Sequence, residues 1–443
     1  MAKKGKGGSE STGRSAGQGR EPFSLLSVRF DNLDTGIIRQ HIIYLVAASL
    51  LTKFLVLALT PTVFHSFIDF FDIQFYFDQG VKILGGQLPY IGYNFEYPVL
   101  VFIPIIIALI PAVIFQNGMV FAYTFQLLMV ICDLVILLCV YLTALKMKGE
   151  KTAFYAGLIY ATAFSTAYFV LTKYDAFPTA FLMLAIFFTT CGLTMRGYCS
   201  AGLGFFAKIF PVVSLPFLVL HNTKKSSLKD EIVSALKVMI PLCVVLLLPI
   251  LIIRPGAIGT YLFATGATVG VYVNTLTYTL YAWLGGVLHT GITPENVSLV
   301  MYLLMGLCML VLLWSAYTDT EKRPVTLVKT LLCALLIIVV FTKFHSPQYI
   351  VWYTPLLCLL VADDIYKIAL FYVVQVLAFI EFPLMFGSFY TNLEYTNAAG
   401  TPGWYLTLAF FTVQYLALLA LVLMILAPKK GLVPGLREKF FSP

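Results

Sequence analysis

Charged residues are scarce in this 443-residue chain, and their scarcity decides its class. Asp, Glu, Lys and Arg together make up 11% of the sequence, whereas hydrophobic residues make up 60%. A soluble domain carries roughly 25% charged residues, so a water-soluble class is excluded. Apolar runs of about 20 residues recur along the chain, as helical membrane spans require. The sequence therefore predicts an all-α polytopic membrane protein.

Other features are missing as well. Eight cysteines are scattered without a Cys-x-x-Cys pair, which excludes a disulfide framework and a zinc site of the paired-cysteine type. An Asp-x-Asp motif is also absent, and Asp69 and Asp72, three positions apart, would form only a weak divalent-metal site. The net charge of +8 comes from Lys and Arg beside apolar runs. That placement is typical of membrane topology signals, so nucleic acid is not an expected partner.

The distribution of Lys and Arg predicts the topology. Residues 1–38 are Gly/Ser-rich and basic, which is typical of a disordered cytosolic tail, and residues 429–443 form a second cytosolic tail. Between them, 39–428 is the membrane domain, with about 12 crossings and both termini inside. Two segments should not cross: 98–116, which holds three prolines, and 199–220, which should split near Lys208 and Pro211 into two short helices.

Carboxylates concentrate in the first predicted outer loop, which belongs to the segment 62–117. Asp69, Asp72, Asp78 and Glu96 lie there among aromatic residues. The segment Lys173–Asp175, the second outer loop 254–295 and Lys343–His345 fall on the same predicted face. Ionisable groups at a membrane are costly and are candidates for function. The alternative is that these loops are polar only because they are exposed to solvent.

Three stretches carry a resemblance to a known family. The first holds Asp72, Tyr76, Gly86-Gln87-Leu88-Pro89-Tyr90 and Tyr97-Pro98. The second is "KYDAFPTAFLMLAIFFTTCGLTMRGYCSAGLGFFAKIFPVVSLP", and the third is "FHSPQYIVWYTP". In this order, and over roughly residues 40–360, they resemble polyprenyl-phosphate-sugar-dependent glycosyltransferases of the GT-C type. The likeness is greatest to glycosyltransferase family 87, the mannosyltransferase-like group.

The resemblance implies a fold and an activity. The fold would be GT-C, with transmembrane helices and juxtamembrane helices on the outer face. The activity would be transfer of a hexose, mannose by resemblance, from polyprenyl or dolichyl phosphate to a glycan, glycolipid or glycoprotein. It would proceed at the outer face of the cell membrane. A lipid or solute transporter or flippase is the main alternative, although the paired broken helices of many transporters have no counterpart in register here. A non-catalytic accessory subunit is a third possibility.

Residue chemistry assigns roles within this activity. Transfer needs a base that takes the proton of the acceptor hydroxyl, and a carboxylate with a raised pKa suits that role. Asp72 is the expected base. On a helix, Asp69 would lie one turn before it and Tyr76 one turn after it, so Asp69 is the second candidate or a group that tunes the pKa of Asp72. Further substrate-binding or pKa-tuning candidates are Tyr76, Glu96, Tyr97 and Asp175.

The leaving phosphate needs cationic or hydrogen-bonding partners. Lys343, His345 and Gln348 are expected to supply them, because they flank the start of a helix. Lys208 has two alternatives, phosphate contact or a paired, snorkelling position beside Asp175. With a monophosphate leaving group, these side chains could replace a metal ion, so metal independence is expected and no cofactor is predicted.

Overall fold

The computed structural model describes residues 23–25, 28–30, 35–257, 270–386 and 399–427. It divides into two units, 1–44 and 45–443. In the first unit the strands β1 (Phe23–Leu25) and β2 (Val28–Phe30) pair antiparallel. The predicted tail 1–38 lies largely outside the described residues, apart from these strands and the start of the first helix at Thr35.

The rest of the described chain is helical. The helices up to residue 257 are α1 (Thr35–Thr62), α2 (Phe71–Leu84), α3 (Phe102–Ile114), α4 (Gly118–Lys148), α5 (Glu150–Ala161), α6 (Phe164–Thr172), α7 (Ala176–Thr190), α8 (Thr194–Ala207), α9 (Ser214–Asn222), α10 (Leu228–Leu246) and α11 (Leu248–Ile253). From residue 270 they are α12 (Leu276–Tyr281), α13 (Pro294–Thr318), α14 (Pro324–Phe341), α15 (Ile350–Val361), α16 (Ile365–Phe379) and α17 (Pro402–Leu426).

Short turns of tighter or wider helix extend several of these elements. Turns of 3₁₀ helix at Val99–Val101, Phe210–Val213 and Pro347–Tyr349 precede α3, α9 and α15. Turns of π-helix at Ala282–Val287 and Ile380–Met385 follow α12 and α16.

Polar residues set the starts of many helices. Asn117, for example, accepts the backbone N–H of Met119 at 2.8 Å and so caps α4. Asp364 caps α16 in the same way. The far end of α4 is fixed by Gly149, whose φ of +83° favours glycine.

Six of the described helices are long and apolar enough to cross a membrane: α1, α4, α13, α14, α16 with its π turn, and α17. The pair α5 and α6, bent by 56°, would make a seventh span. Shorter apolar helices take up residues 99–114, 176–190, 210–222 and 347–361. The all-α polytopic class is confirmed. The predicted count of about 12 crossings exceeds the six or seven described spans, because several apolar runs form helices shorter than a span.

Both predicted irregular segments are short helices. Residues 99–114 form an apolar helix shorter than a span. Segment 199–220 is broken at Lys208, which is extended (φ −158°, ψ 148°) between α8 and the turn before α9. The predicted split near Lys208 and Pro211 is confirmed.

Contacts group charged loops in two pairs. The charged residues of 146–151, 222–229, 318–323 and 363–367 predict that these four loops are cytosolic. The Lys148 ammonium lies 3.2 Å from the Asp363 carboxylate, and the Lys224 ammonium donates to the Glu321 carbonyl at 2.9 Å. Segments 146–151 and 363–367 therefore lie on one face, and 222–229 lies beside 318–323. Which side of the membrane this face meets remains a prediction.

A buried ion pair joins two of the long helices. Lys53 of α1 donates to Asp133 of α4 at 2.6 Å, and Tyr160 donates to the other carboxylate oxygen at 2.7 Å. Both charged side chains are almost fully shielded from solvent. The position of Asp133 deep in an apolar run predicts an interhelical hydrogen bond, and the structure confirms it. A buried pair of this kind is costly to break from one side.

Candidate functional site

The acidic loop folds into a short helix that begins between its first two carboxylates. Asp69 precedes α2, and its Oδ1 accepts the backbone N–H of Phe71 at 2.9 Å. Asp72 lies in the first turn of α2, and Tyr76 follows one turn later. The prediction that one helix carries Asp69, Asp72 and Tyr76 is therefore wrong for Asp69, because its side chain closes the turn that starts the helix.

A single lysine holds both carboxylates. The ammonium of Lys173 lies 2.7 Å from Asp69 Oδ2 and 3.1 Å from Asp72 Oδ1. Its side chain is 7% exposed, against 19% for Asp72. Lys173 was among the residues predicted on this face, but no role was predicted for it. The sequence feature that could have indicated a role for Lys173 is Lys173-Tyr174-Asp175, in which two opposite charges flank an aromatic residue.

The electrostatics at this point favour a carboxylate that can take a proton. Burial raises the pKa of Asp72 above its ordinary value, although the neighbouring Lys173 opposes the shift. Burial works against the charge of Lys173, but Asp72 and Asp69 outweigh it and raise the pKa of the ammonium. Lys173 thus stays cationic, with Asp69 as its closer partner. Asp72 is the more weakly held and more exposed carboxylate.

A second ion pair lies on the other side of Tyr174. Lys208 donates to Asp175 Oδ1 at 2.7 Å, and the indole N–H of Trp352 donates to the same oxygen at 2.5 Å. The Asp175 side chain is fully buried, and its Oδ2 has no hydrogen-bond partner among the described residues. Of the two alternatives for Lys208, the structure therefore has the pairing with Asp175. The broken backbone at Lys208 is what brings its ammonium to this position.

Aromatic rings pack between the two ion pairs. The fully buried ring of Tyr174 lies 5.5 Å from that of Tyr76 and 5.3 Å from that of Tyr97, centroid to centroid. The ammonium of Lys208 stands 4.8 Å from the Tyr174 centroid and 5.3 Å from that of Trp352. Burial raises the pKa of the Tyr76, Tyr97 and Tyr174 hydroxyls well above the ordinary value, so all three stay neutral. The rings thus form an apolar wall with a cation at its centre.

Glu96 adds a further carboxylate at the same place. It is half-buried, and burial raises its pKa while nearby Lys208 lowers it and Asp72 raises it. The structure gives this carboxylate no hydrogen bond within the described residues. It is therefore an acceptor that a hydroxyl-bearing ligand could use.

The loop before α15 carries the predicted phosphate ligands. Nδ1 of His345 is shielded from solvent and has no hydrogen-bond partner among the described residues. Burial lowers the pKa of His345 to about 4, so the imidazole is neutral near pH 7 and can act by hydrogen bonding. The half-buried Lys343 forms no ion pair within the described part of the chain. Gln348 is buried, and its Oε1 accepts from Ser346 at 2.6 Å.

Aromatic contacts connect this loop to the second ion pair. The ring of His345 lies 5.5 Å from that of Tyr349, which stacks on Trp352 at 3.9 Å. Trp352 also stacks on Phe210 at 4.1 Å. Through Trp352 the loop therefore reaches Asp175. Lys343 is joined to the described residues through its backbone carbonyl, which accepts the N–H of Tyr272 at 3.0 Å.

The second outer loop contributes an anchor for the first. The guanidinium of Arg254 donates to the carbonyl of Tyr90 at 3.0 Å and to Asn94 Oδ1 at 2.9 Å. The hydroxyl of Tyr90 in turn donates to the carbonyl of Tyr97. Arg254 thereby fixes the turn that presents Glu96 and Tyr97. Residues 258–269 of this loop lie outside the described residues.

The described residues contain no group of three or more His, Cys, Asp and Glu side chains that could hold a metal ion. Asp69 and Asp72, which the sequence suggested as a weak divalent-metal site, both lie against the Lys173 ammonium. Metal independence remains a prediction.

Comparisons with known proteins give distant structural similarity. No protein-family model and no curated protein matches the chain. The chain is similar to ArnT from Cupriavidus metallidurans in the apo state, with a TM-score of 0.47, 13% identity, and coverage of 87% of this chain and 77% of ArnT. For ArnT bound to undecaprenyl phosphate the TM-score is 0.45, with 13% identity and coverage of 89% and 77%.

A third solved structure is also similar. It is the Archaeoglobus fulgidus oligosaccharyltransferase in complex with Zn and sulfate, with a TM-score of 0.42 and 13% identity over 84% of this chain and 53% of that one. At 13% identity and at these TM-scores, the similarities assign the chain neither a family nor an activity.

Proposed function

We propose that this protein is a multi-pass membrane glycosyltransferase of the GT-C type. It moves a hexose, mannose by the sequence resemblance, from a polyprenyl or dolichyl phosphate to a lipid- or protein-linked glycan. The reaction takes place at the outer face of the cell membrane and inverts the anomeric centre. Asp72 is its general base.

One observation carries this proposal: three distant stretches of the chain meet at one group of charges. Asp69 and Asp72 come from the first loop, Lys173 and Asp175 from the turn before α7, and Lys208 from the break after α8. Long-range grouping of ionisable side chains around a carboxylate whose pKa is raised by burial, as at Asp72, is typical of a catalytic site. The three stretches that carry the sequence resemblance also supply Asp72, Lys173, Asp175, Lys208 and Trp352.

The geometry gives Asp72 the better claim to the base. Asp69 is 13% exposed, accepts a backbone N–H and lies at 2.7 Å from Lys173, so its lone pairs are largely committed. Asp72 is 19% exposed and lies at 3.1 Å from the same ammonium. Burial raises its pKa, which increases its basicity toward an acceptor hydroxyl.

Sugar transfer is a single displacement at the anomeric carbon of the donor. The acceptor oxygen forms a bond to the anomeric carbon as its proton passes to the Asp72 carboxylate. The bond from that carbon to the phosphate oxygen breaks, and its electron pair leaves with the lipid phosphate. Attack from the face opposite the phosphate gives an α-linked product from a β-linked donor.

The leaving phosphate meets the cations and donors of the Lys343–Gln348 loop. Lys173 and Lys208 are each neutralised by a carboxylate, whereas Lys343 has no carboxylate partner within the described residues. Lys343 is therefore the cation for the phosphate, and neutral His345 supplies a hydrogen bond. A charge-assisted contact of this type typically contributes about 1.5–3 kcal/mol.

Glu96 and Tyr97 bind the acceptor sugar. The carboxylate of Glu96 has free acceptor capacity beside Asp72 and Lys208. Tyr97 presents a neutral phenol on the same wall. A sugar acceptor offers both hydroxyl donors and an apolar ring face, which suits a site with a carboxylate and stacked aromatic residues.

The test is turnover by the purified protein. The full chain is reconstituted in nanodiscs with polyprenyl and dolichyl phosphates that carry mannose, glucose or galactose, and with a glycolipid extract as acceptor. Mass spectrometry follows the sugar. Transfer that depends on Asp72 supports the proposal. Movement of the lipid across a liposome membrane without transfer would overturn it in favour of a flippase.

A further inference from the structure

A buried carboxylate outside the candidate site lies behind the loop that carries Lys343 and His345. Glu381, in the π turn after α16, is 2% exposed and forms no ion pair within the described residues. Its Oε1 accepts from the amide of Asn274 at 2.9 Å, and its Oε2 accepts from the amide of Gln414 at 2.6 Å. A buried carboxylate whose described hydrogen bonds come from two amides alone is costly, which makes Glu381 a candidate for a specific role.

Asn274 shares its amide between Glu381 and the loop. The same Nδ2 that donates to Glu381 also donates to the backbone carbonyl of His345 at 3.3 Å. The backbone carbonyl of Asn274 accepts a hydrogen bond from the hydroxyl of Tyr415 at 2.8 Å. With both ends of the residue held, the orientation of its side chain is set by the carboxylate of Glu381.

The stretch around Asn274 holds the loop at two further points. The backbone N–H of Tyr272 donates to the carbonyl of Lys343 at 3.0 Å, and the hydroxyl of Thr277 donates to the carbonyl of Thr342 at 3.2 Å. The loop 342–345 is thus fixed through its carbonyl groups. These contacts do not involve the side chains of Lys343 and His345, which the proposed phosphate contact needs.

The π turn also contacts the carboxylate side of the site. Phe382, next to Glu381, has its ring 5.9 Å from the Lys173 ammonium. The carbonyl of Pro383 accepts from Ser66 at 3.2 Å. The segment therefore contacts the neighbourhood of the Asp69–Lys173 pair through Phe382 and reaches the Lys343–His345 loop indirectly, from Glu381 through Asn274.

We propose that Glu381 is a positioning residue that orients Asn274 and thereby sets the placement of Lys343 and His345 for the donor phosphate. The inference rests on the proposed function, because the phosphate ligands are named there. Glu381 itself touches no substrate. Its effect is expected in donor affinity rather than in the proton transfer at Asp72.

A carboxylate is needed at position 381 because two amide donors converge on it. A glutamine there offers one acceptor oxygen and turns its own N–H₂ toward a second amide donor. Glu381→Gln can therefore keep only one of the two donors, and we expect it to release Asn274, whose contact of 2.9 Å is longer than the 2.6 Å contact of Gln414. Exchanging the partners, Glu381→Gln with Gln414→Glu, matches donors with acceptors again. The amide then at position 381 can donate to the carboxylate then at position 414 and still accept from Asn274.

Two measurements on the full chain in nanodiscs test this role. Hydrogen–deuterium exchange of peptides 270–278 and 342–350, without ligand, reports how firmly the loop is held. The Michaelis constants for the polyprenyl-phosphate sugar and for the acceptor report its use. Glu381→Gln should speed exchange in both peptides and raise the donor KM about 10-fold, with kcat and the acceptor KM within about 2-fold. The double exchange should restore both readouts.

Gln375→Met is the matched control. Gln375 is equally buried on α16, but its partners are Thr166 and Thr354, so its loss should leave the loop and the donor KM unchanged. Asn274→Ala removes both contacts of the Asn274 amide, to Glu381 and to the His345 carbonyl. It should show the same faster exchange and higher donor KM, and it takes the place of Glu381→Gln if Glu381→Gln does not fold.

Native exchange rates in Glu381→Gln would overturn the positioning role. Faster exchange with an unchanged donor KM would show that Glu381 holds the loop without affecting donor binding, and would overturn that part of the proposal. Absence of transfer by the wild-type protein would overturn the proposed function itself, and that outcome is seen before any variant is made.

Discussion

The replacement of Asp72 by asparagine tests the centre of the proposed mechanism. Asparagine has nearly the same size as aspartate, and its carbonyl oxygen can still accept from Lys173, which stands 3.1 Å away. Lys173 keeps its closer partner Asp69 at 2.7 Å, so the ion pair that holds the loop survives. What disappears is the ability of residue 72 to take a proton.

The size of the effect follows from that single loss. General base catalysis by a positioned side chain contributes roughly 10²–10⁴-fold to rate, or about 3–5 kcal/mol of barrier. Asp72→Asn should therefore transfer sugar about 10²–10⁴ times more slowly while it still binds polyprenyl phosphate. Asp69→Asn should be milder, because Asp69 acts on the pKa of Asp72 without taking the proton.

The pH dependence supplies an independent readout. The base works only when ionised, so kcat/KM of the native protein should rise with pH through the pKa of Asp72. Burial places that pKa above the ordinary 3.8, and the limb should lie correspondingly higher. In Asp72→Asn this limb should vanish, since no group titrates at position 72.

Asp78→Asn is the matched control for these assays. Asp78 lies on the same helix, is solvent-accessible and, within the described residues, accepts a side-chain hydrogen bond from Gln74 alone, at 2.8 Å, so its replacement should leave the rate and the pH profile unchanged. Transfer of mannose to the acceptor is followed by mass spectrometry on proteins of equal folded fraction. A purified Asp72→Asn protein with a near-native rate would remove Asp72 from the mechanism and pass its role to Asp69.

Three further predictions follow from the same site. Lys173→Met removes the cation that holds the pKa of Asp72 down, so the acidic limb of the pH profile should move to higher pH; an unmoved limb would contradict the pairing. Lys343→Ala and His345→Ala should each raise the donor KM about 10–100-fold, from the loss of one charge-assisted or buried hydrogen bond, with the acceptor KM unchanged; native donor kinetics in both would refute the phosphate site. A cysteine at position 148 in place of Lys148 should resist an impermeant thiol reagent added from outside the cell, and labelling there would overturn the predicted topology.

Local composition was enough to determine the class of the protein and several of its parts. The low charge and the long apolar runs fixed a helical membrane protein, because an unpaired backbone cannot remain in lipid. Lys208 and Pro211 marked the break after α8, since a charge and a proline both interrupt an apolar helix. Asp133 marked a buried polar contact, since a lone carboxylate in a span must find a partner.

Tertiary structure alone decided how the candidate site is assembled. Lys173 and Asp69 are 104 positions apart in sequence, and no local pattern indicates that one ammonium holds both loop carboxylates. The start of α2 after Asp69 was missed for a related reason: the side chain of Asp69 competes with the helix by accepting a backbone N–H. The neutral state of His345 likewise depends on burial by neighbours distant in sequence.

Glu381 is the clearest case of this division. Its sequence context, an apolar helix end, shows only that a carboxylate lies in an expensive place. Its partners Asn274 and Gln414 come from elements 107 positions before it and 33 after it. The sequence shows which residues have a high free-energy cost of burial, because that cost depends on the residue type and on the apolar run around it. Only the packing of distant helices decides what each costly residue contacts, because those contacts form between segments that no local spacing relates.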